Sequence, residues 1–151
     1  MTRKGKARRD IEDLVGSYGD AVTRRDNTLW RSLWAEDASW VLGDRTATGA
    51  AAVFALYERA ITPIQFVAHV AFPAGIQVEG DAARGRWYVQ EIIKPQSGPS
   101  MLLFGMYNDR YRRIEKKWRF AERRFSFLLQ SALPDGATST ALPPDVNVPF
   151  A

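Results

Sequence analysis

The chain has 151 residues, 46% hydrophobic and 25% charged, with a single histidine, no cysteine and a net charge of +4. That length accommodates one domain with a sizeable core and excludes two. Without cysteine there is no disulfide framework and no thiolate metal site. No apolar run approaches the roughly 20 residues of a bilayer span or marks a signal peptide, so a cytoplasmic protein without membrane association is the expectation.

Positive charge gathers at the start, at Arg3, Lys4, Lys6, Arg8 and Arg9. Such an arm either binds nucleic acid or an anionic surface, or is a solvated tail. No basic helix or nucleic-acid motif follows, so residues 1–9 are read as a disordered basic arm, and nucleic acid is not an expected partner. Ile11, Leu14, Val15, Tyr18 and Val22 recur at helical spacing and predict an amphipathic helix over residues 10–25. Gly16 and Gly19 inside it signal a closely packed neighbour. Asp26 or Asn27 then caps a second short helix carrying Leu29, Trp30, Leu33 and Trp34. Residues 39–42 read as a strand and 43–49 as a turn-rich loop. A third helix spans 50–60, with Val53, Phe54, Leu56 and Tyr57 inward.

After Pro63 the apolar period changes from 3.6 to 2. Residues 64–72 read as a strand, Pro73, Ala74 and Gly75 as a bulge or kink, and 76–78 as its continuation. Glu79, Gly80 and Asp81 make a tight turn into a strand with Ala83, Gly85, Trp87, Val89, Glu91 and Ile93 on one face and Arg84, Arg86, Tyr88 and Gln90 on the other. Two more strands follow, separated by turns at 95–99 and 114–117. The last leaves open whether Arg123 or Arg124 points inward. Residues 131–151 read as an irregular tail or pocket lid. Three N-terminal helices packed on a strongly bent antiparallel sheet make an α+β fold, with residues 10–130 as its domain.

The element order and the phrases Gly85-Arg-Trp-Tyr88, Tyr107-Asn-Asp-Arg-Tyr111 and Trp118-Arg-Phe120, with Ile11-Glu-Asp-Leu14 and Leu33-Trp-Ala-Glu-Asp-Ala38 in the helical part, resemble the SnoaL-like branch of the nuclear transport factor 2-like superfamily. The resemblance covers roughly residues 9–130. It implies a cone-shaped α+β barrel with a deep pocket, as in scytalone dehydratase, a bile-acid dehydratase, a hexachlorocyclohexane dehydrochlorinase, polyketide cyclases, steroid isomerases and the small subunits of ring-hydroxylating dioxygenases. By similarity to the dehydratases and the dehydrochlorinase, Tyr18 corresponds to a helix-one tyrosine and His69 to a strand histidine. Glu91 corresponds to an acid on the next strand, and Tyr107 and Arg123 to a pocket tyrosine and arginine. One position departs: where those enzymes orient the histidine with an aspartate, this chain has Thr23.

The residues themselves offer a substitute. His69 and Glu91 lie equally far from Gly80, so a regular hairpin sets them opposite each other with Cβ atoms about 5 Å apart, and a bulge at 73–75 slides that register by a residue or two. Histidine suits proton abstraction because its unperturbed pKa of about 6.5 lies near working pH. The competing reading pairs Glu91 with Arg123 or Arg124 to close the sheet. Tyr18 and Tyr107 are either hydrogen-bond donors to a substrate oxygen or core aromatics. Trp30, Trp34, Trp40, Phe54 and Trp87, with Thr23, are read as walls of a substrate pocket.

No phosphate loop, metal-ligand spacing or nucleophile elbow occurs, so neither cofactor nor metal is expected. The expectation is a cofactor-independent lyase or isomerase, dehydratase- or cyclase-like, acting on a small, cyclic, largely apolar ligand by His-mediated proton abstraction. The rival is a non-catalytic ligand-binding or assembly subunit, resembling a dioxygenase small subunit. A homodimer or homotrimer through the outer sheet face is expected in either case.

Overall fold

The structure, a computed structural model, describes residues 2–134, 136 and 138–140. Helix α1 (Arg3–Arg24) opens the fold, with the Thr2 hydroxyl accepting from the Gly5 N–H as its cap. It buries Ile11, Leu14, Val15, Tyr18 and Val22, the stripe that the helical period predicts. The basic residues expected in a disordered arm instead form its first two turns, which corrects the reading of residues 1–9. Ion pairs one turn apart, Lys6 to Asp10 at 2.8 Å and Arg8 to Glu12 at 3.0 Å, add a few tenths of a kcal/mol each, and Ala7 packs on the core. Asp26 accepts from the Leu29 N–H and caps α2 (Asn27–Ser32). Helix α3 is Ala50–Ile61.

Six strands make one curved, unclosed sheet in the order β2-β1-β6-β5-β4-β3. They are β1 (Trp34–Leu42), β2 (Arg45–Thr48), β3 (Ile64–Glu79), β4 (Ala82–Pro95), β5 (Met101–Ile114) and β6 (Lys117–Ala132). Strands β3 to β6 form the expected antiparallel meander, and α1 packs chiefly on β3. Two local expectations need correction. Trp34 is not helical: it starts β1, where it pairs with Phe120 and packs on that ring at 5.3 Å between centroids. The loop at 43–49 contains β2, because Gly43, at φ +63°, allows a two-residue turn that pairs Leu42 with Arg45.

The sheet is also not wholly antiparallel, since β1 runs parallel to β6. Residues joined through β2, α3 and the whole meander can pair in parallel, which hairpins cannot. At the far end, Ser131 and Ala132, expected in the tail, belong to β6, and the Leu133 N–H reaches the Ser100 carbonyl. Most of the expected tail or lid lies outside the described residues.

Candidate functional site

The two-residue turn Gly80-Asp81 pairs Glu79 with Ala82, and the ladder continues to Gly75 opposite Arg86. A regular continuation would bring Val70 to Glu91. Instead Ala74 is skipped: Pro73 pairs with Trp87, and four pairs later His69 stands opposite Glu91. The bulge therefore makes this juxtaposition rather than spoiling it. It also reverses the strand's inward parity, so that Val67 and His69 before it and Ile76 and Val78 after it are the more buried residues. Pro73 is tolerated because β3 is an edge strand and the bulge interrupts the ladder.

His69 Nδ1 lies 2.6 Å from Glu91 Oε1. The histidine side chain is 1% exposed and the glutamate 20%, so the carboxylate links a buried imidazole to solvent. Taking that oxygen as acceptor fixes the tautomer, with the proton on Nδ1 and Nε2 as the free base. Nε2 is buried and has no partner among the described residues, and the ring lies 5.3 Å from that of Tyr18 and 6.4 Å from that of Tyr107. Thr23 accepts from the His69 backbone N–H at 3.1 Å, and so fixes the strand rather than the imidazole. Gly19 lets α1 approach here: a Cβ on it would lie 3.0 Å from the His69 carbonyl oxygen. Gly16 has no such close neighbour.

Arg123, not Arg124, points inward. Its side chain is wholly buried, whereas that of Arg124 is 53% exposed. Its Nε and Nη2 donate to the two carboxylate oxygens of Asp109 at 3.0 and 3.1 Å. Its guanidinium carbon sits 3.7 Å from the Tyr107 ring centre, 4.2 Å from that of Tyr18 and 4.3 Å from that of Phe120. Asp109 also accepts from the Tyr111 hydroxyl, which in turn accepts from the Trp87 indole, both at 2.7 Å. The expected alternative of Glu91 pairing with an arginine is thus overturned: Asp109 is the partner of Arg123.

Burial pushes the Asp109 carboxyl up, against the pull of Arg123 and Tyr111. Burial would lower the guanidinium, but Asp109 and the surrounding tyrosines more than offset this and hold it charged. A neutral Asp109 would leave that charge unpaired in the core, so the two are best described as an ion pair. Burial raises both Tyr18 and Tyr107, with Arg123 pulling the other way. Both phenols are therefore protonated at neutral pH and act as donors, and their oxygens lie 3.4 Å apart.

Trp30, Trp34 and Trp40 form a mutually packed cluster, with centroids 5.0 to 6.0 Å apart, and Trp30 stacks on Tyr57 at 4.1 Å. Their indole nitrogens and the Tyr57 hydroxyl, like His69 Nε2 and Arg123 Nη1, are buried without a partner among the described residues. A native core leaves few such groups, and each asks for an explanation. Phe54 is only partly buried, with Arg31 over its ring at 4.3 Å. A cleft of about 420 Å³ between α1 and β3 reaches His69, past Gly16, Gly19 and Trp87.

A family model described as a SnoaL-like domain matches residues 3–124. The chain belongs to the SnoaL-like family. No curated protein matches its sequence. Among solved structures, a provisionally named scytalone dehydratase from Novosphingobium aromaticivorans DSM 12444 is 21% identical, with a TM-score of 0.79 over 90% of this chain and 97% of that one. The hexachlorocyclohexane dehydrochlorinase LinA-type3 from Novosphingobium barchaimii LL02 is 23% identical, with a TM-score of 0.79 over 93% and 97%. A provisionally named aromatic ring hydroxylase from Novosphingobium aromaticivorans is 27% identical, with a TM-score of 0.76 over 83% and 92%.

In this SnoaL-like domain, His69, Tyr18, Tyr107 and Arg123 converge on one buried locus, with Glu91 at its solvent side. Thr23 bonds the backbone of His69 and not its imidazole. Trp87 belongs to the Asp109 network through Tyr111. The residue that sequence reasoning missed is Asp109, although a signal was present: it shares the inward parity of Tyr107 and Tyr111 on β5. No helix among the described residues is long and apolar enough to cross a membrane.

Proposed function

We propose that this protein is a cofactor-independent lyase or isomerase that removes a proton from a small cyclic substrate through His69 Nε2. The reading rests above all on the 2.6 Å contact from His69 Nδ1 to Glu91, which leaves a buried, unpartnered imidazole nitrogen beside two tyrosines. Its fold is one that proteins named as a dehydratase and a dehydrochlorinase share.

In this mechanism Nε2 takes the proton from a carbon next to a carbonyl or a leaving group. Glu91 stabilises the resulting imidazolium and, being part-exposed, passes charge balance to solvent. Tyr18 and Tyr107, neutral by burial, donate hydrogen bonds to the oxygen that gains negative charge. In an elimination the leaving group departs as the new double bond forms, and a hydroxide equivalent leaves as water with a proton from a phenol or the imidazolium. Arg123 acts through its contacts with both phenol rings, making them better donors. Trp30, Trp34 and Trp40 would present indole N–H donors and flat apolar faces to such a substrate.

The test is a panel of cyclic β-hydroxy ketones, followed by the absorbance of the conjugated product. Turnover lost in both His69→Ala and Glu91→Gln, with unchanged unfolding curves, supports the reading. Turnover retained by His69→Ala ends it. A second reading, assembly through the outer sheet face, is favoured by one observation: Val70, Phe72, Tyr88, Ile92 and Leu129 are 38% to 53% exposed on that face. A homodimer or homotrimer through these residues is compatible with catalysis, so the two readings compete only if the protein proves inactive.

A further inference from the structure

The outer sheet face also carries a groove of about 760 Å³, lined by Arg84, Arg86, Arg110, Arg124, Asn108 and Glu122 among others. The pleat puts these side chains outside, because their neighbours Ala83, Gly85, Trp87, Asp109 and Arg123 point inward. Pairing sets Arg84 opposite Arg110, Arg86 opposite Asn108, Asn108 opposite Arg124 and Arg110 opposite Glu122. Like charges directly opposed across a ladder destabilise it.

Their neutralisation is incomplete. Arg84 reaches Glu79 at 3.4 Å and Gln77 at 3.3 Å, and Arg124 reaches Glu122 only at 4.0 Å. Arg86 donates to a neutral acceptor, the Asn108 amide oxygen, at 3.1 Å. The Arg110 side chain makes no hydrogen bond or ion pair among the described residues, although Glu122 stands opposite it on the ladder. Two guanidinium groups that bond no carboxylate therefore flank one asparagine in a concave site.

We propose that this groove binds a doubly charged oxyanion of the phosphate or sulfate class, held by Arg86 and Arg110 with Arg84 and Arg124 on either side, separately from the His69 chemistry. The planar guanidinium fork matches two oxygens of such an anion, and charge-assisted bonds of this kind are about twice as strong as neutral ones. The bound anion offsets the Arg84–Arg110 repulsion, which explains how opposed arginines are tolerated. At the groove's edge Tyr88 stacks on Phe104, with ring centres 5.9 Å apart and planes 7° from parallel. That ledge suits the organic part of a monoester.

Calorimetric titration of the full chain in a low-salt, phosphate-free buffer, with inorganic phosphate and with phenyl phosphate, tests this. Saturable binding is expected, weakened by added salt, at least tenfold weaker in Arg86→Gln/Arg110→Gln, and unchanged in His69→Ala, which removes only the proposed base. Tighter binding of phenyl phosphate assigns an ester, and equal binding assigns the free anion. Glu122→Gln, which removes a competing negative charge, should tighten both. Absence of saturable binding, binding equalled by chloride, or binding indifferent to the double substitution in a variant with a native melting curve overturns the proposal. So does a change of oligomer size in that variant without any anion binding, which would make the groove an interface.

Discussion

At Arg123 a fixed charge sits in the core, held by two hydrogen bonds to Asp109 and by three aromatic faces. Removing one member of a buried pair strands the other, at a cost of about 3–5 kcal/mol. Asp109→Asn and Arg123→Met should each show losses of that order in urea unfolding, whereas Arg124→Met, at the exposed neighbour, should fall within about 0.5 kcal/mol of the parent. The tyrosines make a pH prediction. Burial raises Tyr18, Tyr107 and Tyr111 and pushes Tyr57 up to about 12, against about 10 in an unfolded chain. The folded state therefore binds these protons more tightly. Its stabilisation is complete below about pH 10 and is lost as the pH climbs through the folded values. Melting temperature should fall steeply above pH 10, and the phenolate absorbance of these four tyrosines should appear together with unfolding. Four tyrosines ionising near pH 10 in a folded protein would contradict the burial that keeps Tyr18 and Tyr107 as donors.

Among the elements, β3 carries most of the positional information for the candidate site, because its bulge absorbs one extra residue, Ala74, and so keeps His69 opposite Glu91 on the inner face. Deleting Ala74 removes the bulge but leaves Pro73 opposite Trp87 and His69 opposite Glu91, so a folded protein with its imidazole–carboxylate contact is expected. Inserting one alanine between Ala71 and Phe72 moves Val70 opposite Glu91 and turns His69 to the outer face. Turnover and the histidine contact should both be lost, as read by activity and by the NMR signals of the one histidine. Helix α1 bears on the opposite side of that strand. Gly19→Val would push its side chain into the His69 backbone, and should lower stability more than Gly16→Ala, which meets open space.

For the whole molecule, truncation and assembly are the informative experiments. Deleting residues 1–8 removes the Thr2 cap, about 1 kcal/mol, and exposed ion pairs worth 0–1 kcal/mol. For a chain of this size each kcal/mol shifts the melting temperature by about 2–4 °C. A fall of a few degrees is expected, and a shift of zero would mean that the first two turns of α1 are frayed in solution. On the outer face, Phe72→Glu together with Leu129→Glu should reduce the particle size in light scattering to that of one chain, without loss of fold, if copies associate there. A parent protein that is already monomeric at tens of micromolar would refute the association.

Much of this was legible in the residues because it follows from local periodicity. The stripe on α1, the alternation on β4, the Pro73–Gly75 bulge and the turn at 114–117 each depend on a few neighbouring side chains, and the SnoaL-like fold is spelled by their order. Even the meeting of His69 and Glu91 was approachable, since a hairpin's register is set by its turn and its bulges. What the sequence by itself left open depended on partners distant in the chain. The parallel pairing of β1 with β6 joins segments about 80 residues apart, and no local pattern encodes it. The burial of Arg123 rather than Arg124 was decided by the inward parity that this pairing and β5 impose. The role of Asp109 was decided by the same packing: alternation along β5 turns its carboxylate inward, but only the tertiary structure supplies the guanidinium charge that makes its burial affordable.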